Sequence, residues 1–185
     1  MGSSFIFVTS QNSSVGAASS CTRRALWFHE IIHPTRNGDK VMPARDRYHD
    51  HAKNALINDG WTITADPLHV RWGKRDLYVD LGAEQLLGAE KDQRKIAVEV
   101  KSFIGHSEMA DLEHAIGQYT VYHDVLARAD PDRELFLALN VEVYNNVFEE
   151  PIGELLLENR RIRLIIFEPR LETIQLWIPQ NPIAN

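Results

Sequence analysis

From Pro43 onward the chain alternates apolar and polar positions in periods that change from one segment to the next. Pro43 to Asn58 reads as a helix, with proline in its first turn, Tyr48, Ala52, Ala55 and Leu56 at helical spacing, and Gly60 as its stop. Three short strands follow: WTITA (Trp61 to Ala65), LHVRW (Leu68 to Trp72) and LYVDL (Leu77 to Leu81), with Gly73 and Lys74 turning the chain between the last two. In LYVDL the alternation sets Leu77, Val79 and Leu81 on one face and Tyr78 with Asp80 on the other. KIAVEVKSF, Lys95 to Phe103, is the next strand. A long helix is predicted after Gly105, with Ser107 as N-cap and Met109, Leu112, Ile116, Tyr119 and Leu126 as its apolar stripe. LFLALNV (Leu135 to Val141) is apolar on both faces, as a central strand covered on both sides must be. A broken helix around Val143 to Glu158, interrupted by Pro151, leads to a hairpin of IRLIIF (Ile162 to Phe167) and TIQLWIP (Thr173 to Pro179). That order implies an α/β domain whose mixed sheet is flanked by helices.

The first forty or so residues lack any such period and include the Ser-rich stretch SQNSSVGAASSCT, so residues 1–41 are expected to be a poorly ordered extension and 42–185 the folded domain. Met42, where periodicity begins, reads as the natural start. Phe5 to Val8 is too short an apolar run for a signal peptide and has no basic region before it. No apolar run approaches the roughly 18 residues of a membrane span. The single cysteine, Cys21, can form no internal disulfide, which fits a cytoplasmic protein. A formal net charge of −6 argues against broad phosphate binding, so any DNA contact must be local. Arg71, Lys74 and Arg75, and then Lys91, Arg94 and Lys95, supply such local clusters; each also reads as an ordinary solvated loop.

One segment breaks the pattern in a chemically pointed way. Within KIAVEVKSF, Ile96, Val98 and Val100 share one face, whereas Ala97, Glu99 and Lys101 share the other, so opposite charges sit inside an apolar strand. Burying charge is costly unless it is paired or coordinates something. Asp80 in the preceding strand supplies a second carboxylate, and two hard oxygen ligands suit Mg²⁺ or Mn²⁺. Lys101 beside the metal can orient a water or stabilise negative charge developing on a phosphodiester. The competing reading is a cross-strand ion pair on a solvent-facing sheet surface, and the bare residues balance the two. A tight turn over Glu90 to Lys95 would set Glu99 opposite Leu86. The metal reading therefore requires Gly82 to Arg94 to form a longer excursion or short helix, or Glu84 or Glu90 to replace Asp80, with Glu84 as the reserve. Gln118 and Tyr122, four apart in the long helix, share a flank from which an amide and a phenol can reach the site or a phosphate; Tyr122 can equally be core. Asp46, His49 and Asp50 form a polar face of the first helix that can project the same way, or be plainly solvated. His49 and His51 point to different sides, so zinc lacks support, as do P-loop and serine-hydrolase motifs.

Taken together, MPARDRYHDHAKNALINDGWTITADPL, DLYVDLGAE, KIAVEVKSF, LEHAIGQYTVY and LIIFEPRLETIQLWIP resemble the XisH family, named for a factor controlling excision of the fdxN element in cyanobacteria. The likeness runs from about Met42 to Pro179. It implies a restriction-endonuclease-like fold of the PD-(D/E)XK superfamily, an αβββαβ core with an additional C-terminal hairpin. It also implies that Asp80 is the superfamily aspartate, that Glu99 and Lys101 are the acidic-x-Lys pair, and that Gln118 and Tyr122 match the Gln-x-x-x-Tyr element of RecB-like members. Val79 stands where that pattern has proline. The resemblance further implies an XisI-like partner and, in the excision system, a site-specific recombinase. The expected function is a Mg²⁺-dependent DNA endonuclease; the alternative is a non-catalytic regulator of that recombinase.

Overall fold

The computed structural model describes residues 45–87, 92–159 and 162–180. All belong to the second of the two units into which the chain divides, Met42–Asn185. The tail expected at residues 1–41, Pro43 and Lys91 lie outside the described residues. The elements run α1 (His49–Asn58), β1 (Thr62–Ala65), β2 (Leu68–Trp72), β3 (Arg75–Val79), β4 (Leu81–Leu87), β5 (Asp92–Lys101), α2 (Glu108–Ala129), β6 (Arg133–Asn140), α3 (Val141–Val143), a π-helical turn Tyr144–Phe148, α4 (Pro151–Glu158), β7 (Leu164–Glu168) and β8 (Thr173–Ile178). Six strands form one mixed sheet in the order β1-β4-β5-β6-β7-β8, and β2 with β3 forms a separate two-stranded ribbon. Strands β5, β6 and β7 are mutually parallel, and the neighbours at either side are antiparallel. This is the expected α/β restriction-endonuclease-like arrangement, with the C-terminal hairpin extending the main sheet beyond β6.

The sheet has a core on each face, and strand alternation decides which residue joins which. Ile96, Val98 and Val100 of β5, with Phe136 and Ala138 of β6, pack with Ala52, Ala55 and Leu56 of α1. Ala97 of β5 and Leu135, Leu137 and Leu139 of β6 pack with Leu112, Ala115 and Tyr119 of α2. The Ser107 hydroxyl caps α2 by accepting from the Ala110 N–H, as its spacing predicts. The buried face of α2 begins only at Leu112, however, and Met109, assigned to the stripe, is 47% exposed. Pro151 occupies the first turn of α4, where its missing N–H has no helical partner to lose.

Two expectations are corrected. LYVDL is not one strand, because the chain leaves the ribbon after Val79 and enters the main sheet at Leu81, so Asp80 is the junction between two sheets. No excursion or short helix occupies the described part of residues 82–94 either. Instead β4 pairs directly with β5, in the register Leu81 with Val98 and Glu84 with Lys95.

Tyr119 fastens the α2 layer to the sheet. Its buried hydroxyl donates to the Leu135 carbonyl at 2.9 Å and accepts from the Arg163 N–H at 3.1 Å. Tyr119→Phe is expected to lower stability by about 1–3 kcal/mol by stranding both backbone groups. A shift in urea midpoint with an unchanged slope would show it; no shift would mean that neither bond contributes.

Candidate active site

The β4–β5 register settles where the charges meet. Extended by one residue from Leu81 and Val98, it sets Asp80 beside Glu99, and the Asp80 Oδ2 accepts from the Val100 N–H at 2.8 Å. The Lys101 Nζ lies 2.8 Å from the Glu99 Oε1. The arrangement arises because both flanking faces of β5 are apolar-packed and Asp80 is freed from pairing where the chain changes sheets. Glu84, the reserve ligand, is ruled out by its position: it lies at Lys95, four residues back along β5, and binds Arg133 at 3.1 Å. Glu90 lies outside the described residues.

Glu99 is only 2% exposed and its Oε2 has no hydrogen-bond partner. Burial, and then the adjacent Asp80 charge, push its carboxyl up to about 7 against the opposing pull of Lys101. Burial alone would lower the Lys101 ammonium, but Glu99 and Asp80 together hold it above its ordinary value. Lys101 is therefore a cation at neutral pH, and Glu99 is poised to exchange a proton.

A second layer of polar contacts ties α1 to this cluster. Asp46 accepts from both the Ser102 N–H (2.9 Å) and the Ser102 hydroxyl (3.0 Å), and its other oxygen accepts from the Tyr48 N–H. The buried His49 contacts Asp66 through Nε2 at 2.9 Å and faces the Asp80 Oδ1 through Nδ1 at 3.8 Å, an ion-pair separation. Asp80, and with it Asp66, raises the imidazole pKa against the effect of burial. Asp46 and His49 thus do project to the site, whereas Asp50 turns outward to Arg45. Beyond Ser102, Phe103 takes φ +44°, a strained value for a bulky residue. Here a cleft of about 270 Å³ opens beside Lys101, lined by Arg45, Arg47, Phe103, Ile104, Asp111 and His114 among others. A larger cavity of about 630 Å³, at Tyr48, Asn140 and Arg170, contains none of the candidate residues.

Gln118 and Tyr122 stand at the rim. The Gln118 amide donates to the Tyr122 hydroxyl at 2.8 Å, which donates to the Tyr78 carbonyl at 2.9 Å. They brace the backbone two residues ahead of Asp80. Among the basic residues, Arg71, Lys74 and Arg75 crowd the ribbon tip, while Arg94 lies seven residues before Lys101 on β5, bound to Glu134 at 2.6 Å. Sequence reasoning missed Asp66 and Ser102, neither of which carries a periodic or motif signal.

Among the described residues no group of three or more His, Cys, Asp or Glu forms a metal cage. Asp80 and Glu99 nevertheless suit a hard divalent cation that keeps most of its waters: both are oxygen donors, and the Glu99 Oε2 is buried without a partner. No described helix is long and apolar enough to cross a membrane.

The raised pKa has a measurable consequence. The folded chain holds the Glu99 proton more tightly than the unfolded chain, so this group's stabilising contribution is present below its ordinary 4.5 and is lost as pH rises to about 7. Lys101→Met removes the nearest cation and carries that loss above pH 7. Its destabilisation is expected to be roughly 1–2 kcal/mol greater at pH 8 than at pH 5. Equal penalties in urea unfolding at the two pH values would show that Glu99 carries no charge there.

Known proteins bear on this geometry directly. The family model described as XisH protein matches residues 42–175. The crystal structure of an XisH family protein from Nostoc punctiforme is 32% identical, with a TM-score of 0.64 over 72% of this chain and 98% of that one. That of an fdxN element excision controlling factor protein from Anabaena variabilis is also 32% identical, with a TM-score of 0.63 over 71% and 97%. No curated protein matches the chain. The family model spans the described elements from α1 into the start of β8, with Asp80, Glu99 and Lys101 among them, and the chain belongs to the XisH family.

Proposed function

We propose that this XisH chain controls excision of a DNA element and does so as a Mg²⁺- or Mn²⁺-dependent DNA endonuclease of the PD-(D/E)XK type. The first part extends to this chain the role of its Anabaena variabilis relative, an fdxN element excision controlling factor. One observation carries the second: a buried Glu99 with an unpartnered oxygen, beside Asp80 and bound to Lys101. Asp80 and Glu99 would hold the ion, which when bound would supply Lewis acidity at a phosphoryl oxygen. The chain's own groups do the rest. Lys101, kept protonated by its acidic neighbours, donates a hydrogen bond to the attacking water and offsets charge gathering on the phosphodiester; as the water oxygen bonds to phosphorus the P–O bond to the leaving deoxyribose oxygen breaks, and the water's proton passes to solvent and not to Lys101. Asp46, through Ser102, fixes the end of β5 and with it the reach of Lys101. Gln118 and Tyr122 hold the Tyr78 carbonyl and so the approach of the chain to Asp80.

A second reading, a non-catalytic regulator acting with an XisI-like protein on a site-specific recombinase, is favoured by a different feature. Helix α4 leaves Ile152 and Leu155 38% and 52% exposed, apolar area that a partner protein would cover.

The purified chain is expected to nick supercoiled plasmid with Mg²⁺ or Mn²⁺, to stop in EDTA, and to lose about 10²-fold or more in rate on Lys101→Ala. Absence of nicking by the parent, together with an XisI-like protein that co-purifies and is lost on Leu155→Asp, would replace the enzyme reading with the regulator. Metal affinity offers a separate check. Glu99 must be ionised to bind, so affinity is expected to rise about tenfold per pH unit below 7 and level off above it. Thermal shifts with Mg²⁺ would report this, and Glu99→Gln would abolish them.

A further inference from the structure

The β2–β3 ribbon is the one described strand pair outside the main sheet, and its two ends differ sharply. Its base is packed: Leu68 and Val70 lie against the α2-side core, and Val79 is fully buried within it. Both legs are pinned there, since Asp66 at the start is held by Lys53 (2.8 Å) and His49 (2.9 Å), and the Tyr78 carbonyl near the end by Tyr122. The tip is open. Residues 71–76 are all exposed, and Trp72, in register with Arg75, leaves 44% of its surface in solvent.

The tip is also cationic in an otherwise acidic chain. Arg71, Lys74 and Arg75 have no ion-pair partner among the described residues, whereas the acid among them, Asp76, is held by His69 at 2.7 Å. With a formal net charge of −6 for the whole chain, these cations mark a local attraction for a polyanion that offers flat rings: Arg75 lies directly across from the exposed indole of Trp72, Lys74 is at the turn, and Arg71 is on the ribbon's other face opposite Asp76. A duplex keeps its base faces stacked and closed, whereas unpaired bases present them.

We propose that this tip is a grip for single-stranded DNA, with Trp72 stacking on an unpaired base, Arg75 across from it and Lys74 at the turn holding the flanking phosphates, and Arg71 adding charge from the ribbon's other face. The proposal deepens the nuclease reading and rests on it for the placement of substrate. Asp80 directly follows the ribbon, so the pinned base fixes the tip about 16 Å from the acidic cluster at strand spacing. The ribbon therefore sets which phosphate, counted from a gripped base, reaches Lys101.

Binding by the full chain is measured in EDTA, so that cleavage plays no part, by fluorescence anisotropy with oligothymidylate of about 20 nucleotides, a duplex of equal length, and heparin as competitor. The Arg71→Glu, Lys74→Glu, Arg75→Glu triple variant is expected to bind single strands at least tenfold more weakly, with a salt slope smaller by about two. Trp72→Ala is expected to weaken single-strand binding about five- to a hundredfold with little effect on the duplex, and Trp72→Phe to restore most of it. All of these residues are exposed, and an unchanged melting temperature confirms that the variants fold. Unchanged single-strand affinity in both the triple variant and Trp72→Ala overturns the grip, as does equal loss on duplex and single strand with Trp72→Ala. Tip-dependent binding without nicking sinks the nuclease reading alone; nicking with tip-independent binding sinks the grip alone.

Discussion

Everything in this molecule depends on β5 being buried on both faces. A strand that lay on a solvated sheet could slip by one residue at modest cost, but here a slip would move Ile96, Val98 and Val100 from the α1 side to the α2 side and strand Glu99 among Ala52, Ala55 and Leu56. Two apolar cores acting in opposite directions therefore fix the register. The register in turn fixes the position of the charged cluster. The precision of the site comes from hydrophobic packing, not from the attraction between the charges themselves.

The cluster then has to be made tolerable. Glu99 and Asp80 repel each other, and Lys101 offsets one of them, leaving excess negative charge whenever Glu99 is ionised. The surrounding structure answers in three ways. Asp80 is stabilised by the Val100 N–H and faced by His49; Glu99 keeps its proton up to about pH 7; and Asp46, whose charge would add to the problem, is turned onto Ser102. The negative charge that remains when Glu99 is ionised is what an added cation would offset.

Much of this was legible in advance. The elements with an unambiguous period, α2, β5 and β6, lie where the pattern places them, because each buries a face or two and cannot do otherwise. The Glu99–Lys101 face was likewise visible, since charges inside an apolar strand need a reason. Alternation places Asp80 in mid-strand, whereas the structure makes it the junction of two sheets and, by the β4–β5 register, a neighbour of Glu99. A change of sheet leaves no mark on alternation, and nothing local distinguishes a strand that continues from one that hands over to another. A turn over Glu90 to Lys95 keeps Asp80 and Glu99 apart, whereas β4 ends at Leu87 and β5 begins at Asp92, a register that brings them level. The lock between Asp46 and Ser102 and the role of Asp66 were invisible, because contacts across 56 or 17 positions of sequence are set by tertiary packing alone.

A purely structural role for the cluster meets a physical objection. A buried ion pair is weak support for a fold, since well-packed apolar side chains of similar volume commonly serve as well or better. Here the pair comes with added costs: a second carboxylate alongside, a glutamate oxygen with no partner, and a left-handed phenylalanine two residues beyond the lysine. Every neighbouring position on β5 shows that apolar residues pack well in this sheet. Where a chain departs from its own local rule in several ways at one spot, the departure is best explained by work done at that spot. A partner-binding regulator would need exposed area such as that on α4 and would have no use for an unsatisfied carboxylate under the sheet surface. The burial of Glu99 thus weighs toward chemistry at the end of β5.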